Sequence, residues 1–298
     1  MKQKQSGERT SSRGGSVSLP KRIDGPLTIT TCSYSDEELK PAAKRTRFLA
    51  GLRAAAGKPA DLIVAAGYSQ AAPIGTGQLL GASGGIPVLY ETYERRRVIW
   101  RVAVNARRQQ VVLRSGQLIH VASDKSKNPA AYRQLLARLA AEHGVIRFDG
   151  VEHALVLLIC GENNVLSPGT GSSALVSRPT APPPVVTKPW VVLNPAHGAY
   201  ARTGGGSALV KVARCANGNG PMFPRVVAPS KAYADGTVAP SAIVHCNNFR
   251  ASSDDVGRRT RGNASFLFER GRRTGRNIGR AGHKSAEFLT STWELEVA

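Results

Sequence analysis

Apolar residues in this chain fall in short unbroken runs that stop at small or polar residues, with amphipathic stretches between them. Pro41 to Ala56 places Phe48, Leu49 and Leu52 at helical spacing opposite Lys44, Arg45, Arg47 and Arg53, and Gly57-Lys58-Pro59 ends it. The run Ala60-Asp-Leu-Ile-Val-Ala-Ala66 follows and ends in a glycine turn at Gly67-Tyr68, which reads as a buried strand. Ile86 to Glu91, Val98 to Val104, Gln110 to Leu113 and Leu118 to Val121 are further strand candidates, with Ser115-Gly116 as a hairpin turn between the last two. Ala130 to His143 is the clearest helix, ended by Gly144. The apolar runs from His153 to Cys160, Trp190 to His197 and Ala239 to Asn248 are buried strands in this reading, and Phe266-Leu-Phe268 and Phe288 to Val297 are closing strands. Helices alternating with such strands predict an α/β protein.

Two stretches read differently. Residues 1–22 carry Lys, Arg, Ser and Gly with little to bury and predict a disordered tail, leaving 23–298 as one domain. Gly75 to Gly85 is rich in small residues, but no Gly-Lys-Ser/Thr follows and its glycines lack dinucleotide spacing, so it reads as a flexible loop. The Ser/Gly/Thr/Pro-rich segment from Ser167 to Pro189 also reads as a loop.

Composition adds a strong charge. The chain has 298 residues and a formal net charge of +21, with Arg clustered at 95–97, at 107–108 and through an Arg/Gly-rich segment at 250–285. That balance predicts attraction to nucleic acid or another polyanion. Aromatic residues make up only 6% and are seldom interleaved with the Arg runs, which argues against a base-stacking platform. Cys32, Cys160, Cys215 and Cys246 form no CxxC pair, so no zinc site and no disulfide framework is expected, nor any cofactor. With no signal-like segment and no run near the ~18 apolar residues of a membrane span, the expectation is a cytoplasmic protein that does not enter a membrane.

The chemistry gathers at strand ends. Three apolar runs finish in Cys160-Gly-Glu162, Asn194-Pro-Ala-His197 and His245-Cys-Asn-Asn248, which would bring polar groups to one sheet edge. A thiol in that position is a candidate nucleophile, provided a neighbouring base or cation raises its ionised fraction.

Here the chain resembles the nitrilase, or carbon-nitrogen hydrolase, superfamily. Leu157-Leu-Ile-Cys160-Gly-Glu162-Asn163 is similar to the family's cysteine strand, Val191-Val-Leu-Asn194-Pro195 to the strand ending Asn-Pro, and Val244-His-Cys-Asn247-Asn248 to a later strand ending Asn-Asn. The resemblance covers roughly residues 27 to 250. It implies a four-layer α-β-β-α sandwich that hydrolyses amides or nitriles through a thioester, using a Glu, Lys and Cys trio, and it is compatible with a homo-oligomer. In that trio a carboxylate takes the thiol proton and later activates water, while an ammonium steadies the oxyanion.

On this resemblance Cys160 is the nucleophile, Lys125 the lysine (with Lys127 as the neighbouring option), and Glu142 a supporting carboxylate before the cysteine strand. The family's general base comes from a strand ending Pro-Glu, and the matching place is Ala66-Gly67, which has no carboxylate. A replacement must come from elsewhere: Glu162, two residues past Cys160, or Glu91, His120 or His197. Two functions follow. One is a hydrolase acting on a small amide or nitrile through Cys160. The other is a nitrilase-like scaffold that has lost hydrolysis and binds polyanions through its Arg clusters.

Overall fold

Strand β2 (Leu27–Tyr34) shows how the layers are built, because its side chains alternate between two buried faces. Leu27 and Ile29 join the core between the two sheets, whereas Cys32 and Tyr34 join a second core under helix α1 (Pro41–Ala56). Strand β3 (Leu62–Ala65) repeats the pattern, with Leu62 and Val64 inward and Ile63 and Ala65 toward the helix. Buried on both faces, β3 has no polar side and reads as a continuous apolar run, whereas Thr28, Thr30, Thr31 and Ser33 interrupt β2 although they too are buried.

The computed structural model describes residues 14–35, 39–67, 73–94, 97–104, 109–119, 128–162, 189–197, 241–248, 265–269, 277–279 and 287–295. Among the described residues, sheet B has seven strands. It contains β2, β3, β4 (Val88–Glu94), β5 (Arg97–Val104), β6 (Gln109–Ser115), β12 (Asn277–Gly279) and β13 (Phe288–Leu295), in the order β12-β13-β2-β3-β4-β5-β6. Sheet A has six. It contains β1 (Ser16–Leu19), β7 (Val145–Phe148), β8 (Ala154–Leu157), β9 (Trp190–Pro195), β10 (Ala242–Cys246) and β11 (Ser265–Glu269), in the order β1-β7-β8-β9-β10-β11. The central strands β2, β3 and β4 run parallel, as do β8, β9 and β10.

Helices cover the outer faces. Helix α1 and helix α2 (Thr76–Ala82) pack Phe48, Leu52, Leu79 and Leu80 on sheet B. Helix α3 (Pro129–Ala140) packs Tyr132, Leu135 and Leu139 on the outer face of sheet A, against Val156, Leu158 and Val192. Asn128 starts α3 by accepting a hydrogen bond from the Ala131 amide at 3.1 Å, with Pro129 in the first turn. Between the sheets, Leu155, Leu157 and Ile159 meet Leu62, Val64 and Leu89. The result is the four-layer α-β-β-α sandwich that the resemblance implies. No helix among the described residues is long and apolar enough to cross a membrane.

Several local expectations are corrected. Ser16–Leu19 lies within the expected tail, yet it forms β1, pairs in parallel with β7 and buries Leu19. A four-residue edge strand is too short to leave an alternation signal. The Gly75 to Gly85 stretch contains α2, because Leu79, Leu80 and Ala82 find an apolar sheet to cover and burial outweighs the low helix propensity of glycine. After Ser115 the chain does not continue into a strand at Leu118 and Ile119. Residues 1–13, the 167–188 loop, Cys215, His120, Lys125, Lys127 and most of the Arg clusters lie outside the described residues.

Candidate active site

The three strand ends singled out in the sequence do converge. Strand β8 is buried throughout, and the apolar run continues through Leu158 and Ile159 before the chain turns sharply at Cys160. Cys160 sits at φ 45°, a left-handed conformation that costs a non-glycine residue on the order of 1 kcal/mol or more. Residues 160–162 make a single 3-10 turn, and the Glu162 amide closes it by donating to the Ile159 carbonyl at 2.9 Å. Cys160 is partly exposed, whereas Cys32 and Cys246 are buried.

Opposite this turn, the end of β3 meets the end of β9. The Gly67 amide donates to the Ala196 carbonyl at 3.0 Å, tying the two sheets together. His197 follows at once, and its ring lies against Gly67. A Cβ placed on residue 67 would stand 2.3 Å from His197 Cδ2 and 2.9 Å from Nε2, so only glycine leaves room for the imidazole. The place where the family resemblance calls for a carboxylate is therefore taken by a ring from the other sheet.

That ring has two side-chain partners. His197 Nε2 lies 2.5 Å from Glu91 Oε2, with the Glu91 side chain fully buried and that of His197 only 11% exposed. The imidazole is also hydrogen-bonded to the Cys160 side chain. Burial pushes the His197 ring down, but the hydrogen bonds to Cys160 and Glu91, with the electrostatic attraction of these groups for the cationic ring, more than reverse this and carry it up to about 9. Trp100 pairs with Glu91 across β4 and β5, and its ring centroid stands 6.4 Å from that of His197, so the imidazole has an apolar wall beside it. Cys160, His197 and Glu91 thus form one hydrogen-bonded row.

An amide frame supports the row. Asn194 Nδ2 donates to the carbonyls of Leu158 and Cys160, the latter at 3.1 Å. Its Oδ1 faces His245 Nδ1 at 2.9 Å, and His245 Nε2 faces Asn247 Oδ1 at 3.2 Å. Burial drives His245 down to about 3, so this ring is neutral. Asn248 Nδ2 donates to the carbonyls of Gly67 and His197, which fixes the backbone at both ends of the close approach.

The remaining candidates stand apart from this row. The Glu142 side chain, in the turn after α3, makes an ion pair with Arg147 at 2.6 Å. Glu162 is fully buried, and both its oxygens are engaged by the Arg114 guanidinium at 2.6 and 2.8 Å. Lys125 and Lys127 lie outside the described residues. Of the replacement bases weighed, Glu91 and His197 are brought together with Cys160. Arg114 and Trp100 went unnoticed in the sequence, since one charged or aromatic residue inside a strand run carries no pattern of its own. No group of three or more His, Cys, Asp or Glu among the described residues is arranged to hold a metal.

No protein-family model matches the chain, and no curated protein matches it. Among solved structures, an amidase from Nesterenkonia sp. AN1 is similar at 14% identity over 90% of this chain and 92% of that one, with a TM-score of 0.45. A mutant of that amidase with acrylamide added at its active-site cysteine is similar at 13% identity over 90% and 93% of the two chains, with a TM-score of 0.46. Another mutant, of the same amidase from the nitrilase superfamily, is similar at 14% identity over 91% and 92%, with a TM-score of 0.46.

Proposed function

We propose that this chain is a carbon-nitrogen hydrolase of the nitrilase type, acting on small amides or nitriles with Cys160 as nucleophile and His197 as its base. The observation that carries this reading is the row Cys160–His197–Glu91, seated in the space that Gly67 leaves open.

An amide is hydrolysed in two stages, through a thioester on Cys160. His197 takes the thiol proton of Cys160, and the sulfur attacks the carbonyl carbon, forming a C–S bond and a tetrahedral oxyanion. When the intermediate collapses, the C–N bond breaks and the imidazolium returns its proton to the leaving amine. The thioester that remains is attacked by a water whose proton goes to His197, and C–S cleavage releases the carboxylic acid and regenerates the thiol. Glu91 orients the ring and stabilises its cationic form throughout, as a buried carboxylate does in a thiol or serine triad. Lys125 is assigned the role that the resemblance implies, steadying the oxyanion. Glu162 and Glu142 are not assigned as bases, since their carboxylates are committed to Arg114 and Arg147.

A scaffold that has lost hydrolysis is suggested by the missing carboxylate at Gly67 and by the net charge of +21, and His197 beside Cys160 weighs against the first of these. The test is ammonia release from a panel of short aliphatic amides and nitriles. The wild type should release ammonia, Cys160→Ala should release none, and His197→Ala should fall by about 100-fold or more. A wild type that is inert across the panel, with Cys160 no more reactive than the other thiols toward iodoacetamide, would reject the reading.

A further inference from the structure

The sharp turn that presents Cys160 is locked from the opposite sheet. Arg114 belongs to β6 of sheet B, and Glu162 lies just past β8 of sheet A, yet their side chains meet fork to fork with no exposure on either. The carboxylate does more than balance the charge. Its Oε2 accepts from the Ile159 amide at 3.0 Å, and its Oε1 accepts from the Leu118 amide at 2.9 Å. Arg114 Nη1 donates as well to the carbonyl of Leu157, the last residue of β8, at 3.2 Å. The pair therefore grips the chain at 157, 159 and 162, on both sides of the left-handed residue at 160.

The surroundings are shaped to admit it. Gly144, at φ 85°, passes so close to the guanidinium stem that a Cβ there would stand 2.6 Å from Arg114 Cδ. Burying two charges is expensive, and apolar residues of similar volume commonly serve stability as well or better. What apolar residues cannot do is fix a carboxylate between two amides and a carbonyl with a bidentate geometry.

We propose that Arg114 and Glu162 are positioning residues, a cross-sheet pair that holds the turn at Cys160 so that its sulfur faces His197. This inference rests on the reading of Cys160 as the nucleophile. Neither residue touches the reacting atoms; they act through the backbone of 157–162.

The test uses the full chain and two variants, with Cys160 alkylation by iodoacetamide read by peptide mass spectrometry alongside kcat, KM and thermal melting. Arg114→Lys keeps the charge and loses the fork. The double variant Arg114→Met with Glu162→Met removes both charges, so neither is left buried alone. Both should melt cooperatively, with Cys160 alkylation and kcat reduced by about tenfold to 100-fold and KM within about twofold, the signature of a misplaced nucleophile. A folded variant that alkylates and turns over like wild type overturns the proposal. So does failure of both variants to fold, since the pair would then be a folding element only. If the wild type shows no turnover yet its fast Cys160 alkylation slows in both variants, the hydrolase reading falls and the positioning pair stands.

Discussion

The imidazole of His197 occupies the volume that any side chain on residue 67 would need, with 2.3 Å between a Cβ at that position and His197 Cδ2. The ring fits there only because residue 67 carries no side chain. Gly67 is thus a complement to His197 across the two sheets, and the pair can be tested as a unit.

Gly67→Ala should force the ring away from Cys160 and lower kcat by about tenfold or more, a loss typical of a base moved off its proton. Gly67→Glu alone should be inactive, while Gly67→Glu combined with His197→Ala should recover measurable ammonia release by restoring a carboxylate where the family resemblance places one. Equal activity in the Gly67→Glu single variant and the double variant would show that the two positions do not compete for space.

The Glu91 contact should appear in the pH dependence of stability. His197 is raised from 6.5 to about 9, so the native state holds this proton more tightly than the unfolded chain. The resulting stabilisation, about 3 kcal/mol at most, is complete below pH 6.5 and is lost as pH rises through 9. Urea unfolding at several pH values should show the wild type weakening across that window, with Glu91→Gln showing a flatter profile. Identical slopes for the two proteins would contradict the pairing.

His245 should act in the opposite direction. Its buried neutral ring, lowered to about 3, takes a proton far more readily once the chain unfolds. The contribution is present above pH 6.5 and drains away as pH falls toward 3. His245→Gln should remove part of this acid limb from the unfolding curve, even if it lowers stability at neutral pH.

Asp61 makes a prediction independent of catalysis. It is fully buried and accepts from the Arg22, Ile23 and Thr28 amides at 2.7, 3.0 and 2.9 Å, anchoring the chain as it enters β2. Asp61→Ala leaves those amides without that acceptor and should cost about 3 kcal/mol in urea unfolding. Cys160 alkylation in the folded fraction should stay unchanged, because Asp61 is not among the groups that hold the Cys160 turn.

Much of this molecule is legible in its sequence. Helix α1 begins and ends where the Phe48 and Leu52 spacing and the Gly57-Lys58-Pro59 stop predict, and the strand ends at Cys160, Asn194 and Asn248 carry polar residues to one place. Those features are local. An apolar run, a cap or a breaker acts on its own few residues, so reading along the chain is enough to find it.

What the sequence alone determined is the apolar strands that end at Gly67, Cys160, His197 and Asn248, the presentation of a thiol after one of them and the lack of a carboxylate at Gly67. The tertiary structure decided which groups complete that thiol's surroundings. Glu91 and His197 are 106 residues apart and come from different sheets, and Arg114 is 48 residues from Glu162. Packing the two sheets face to face makes both pairs, and a contact set by the distance between layers leaves no periodic mark on either strand.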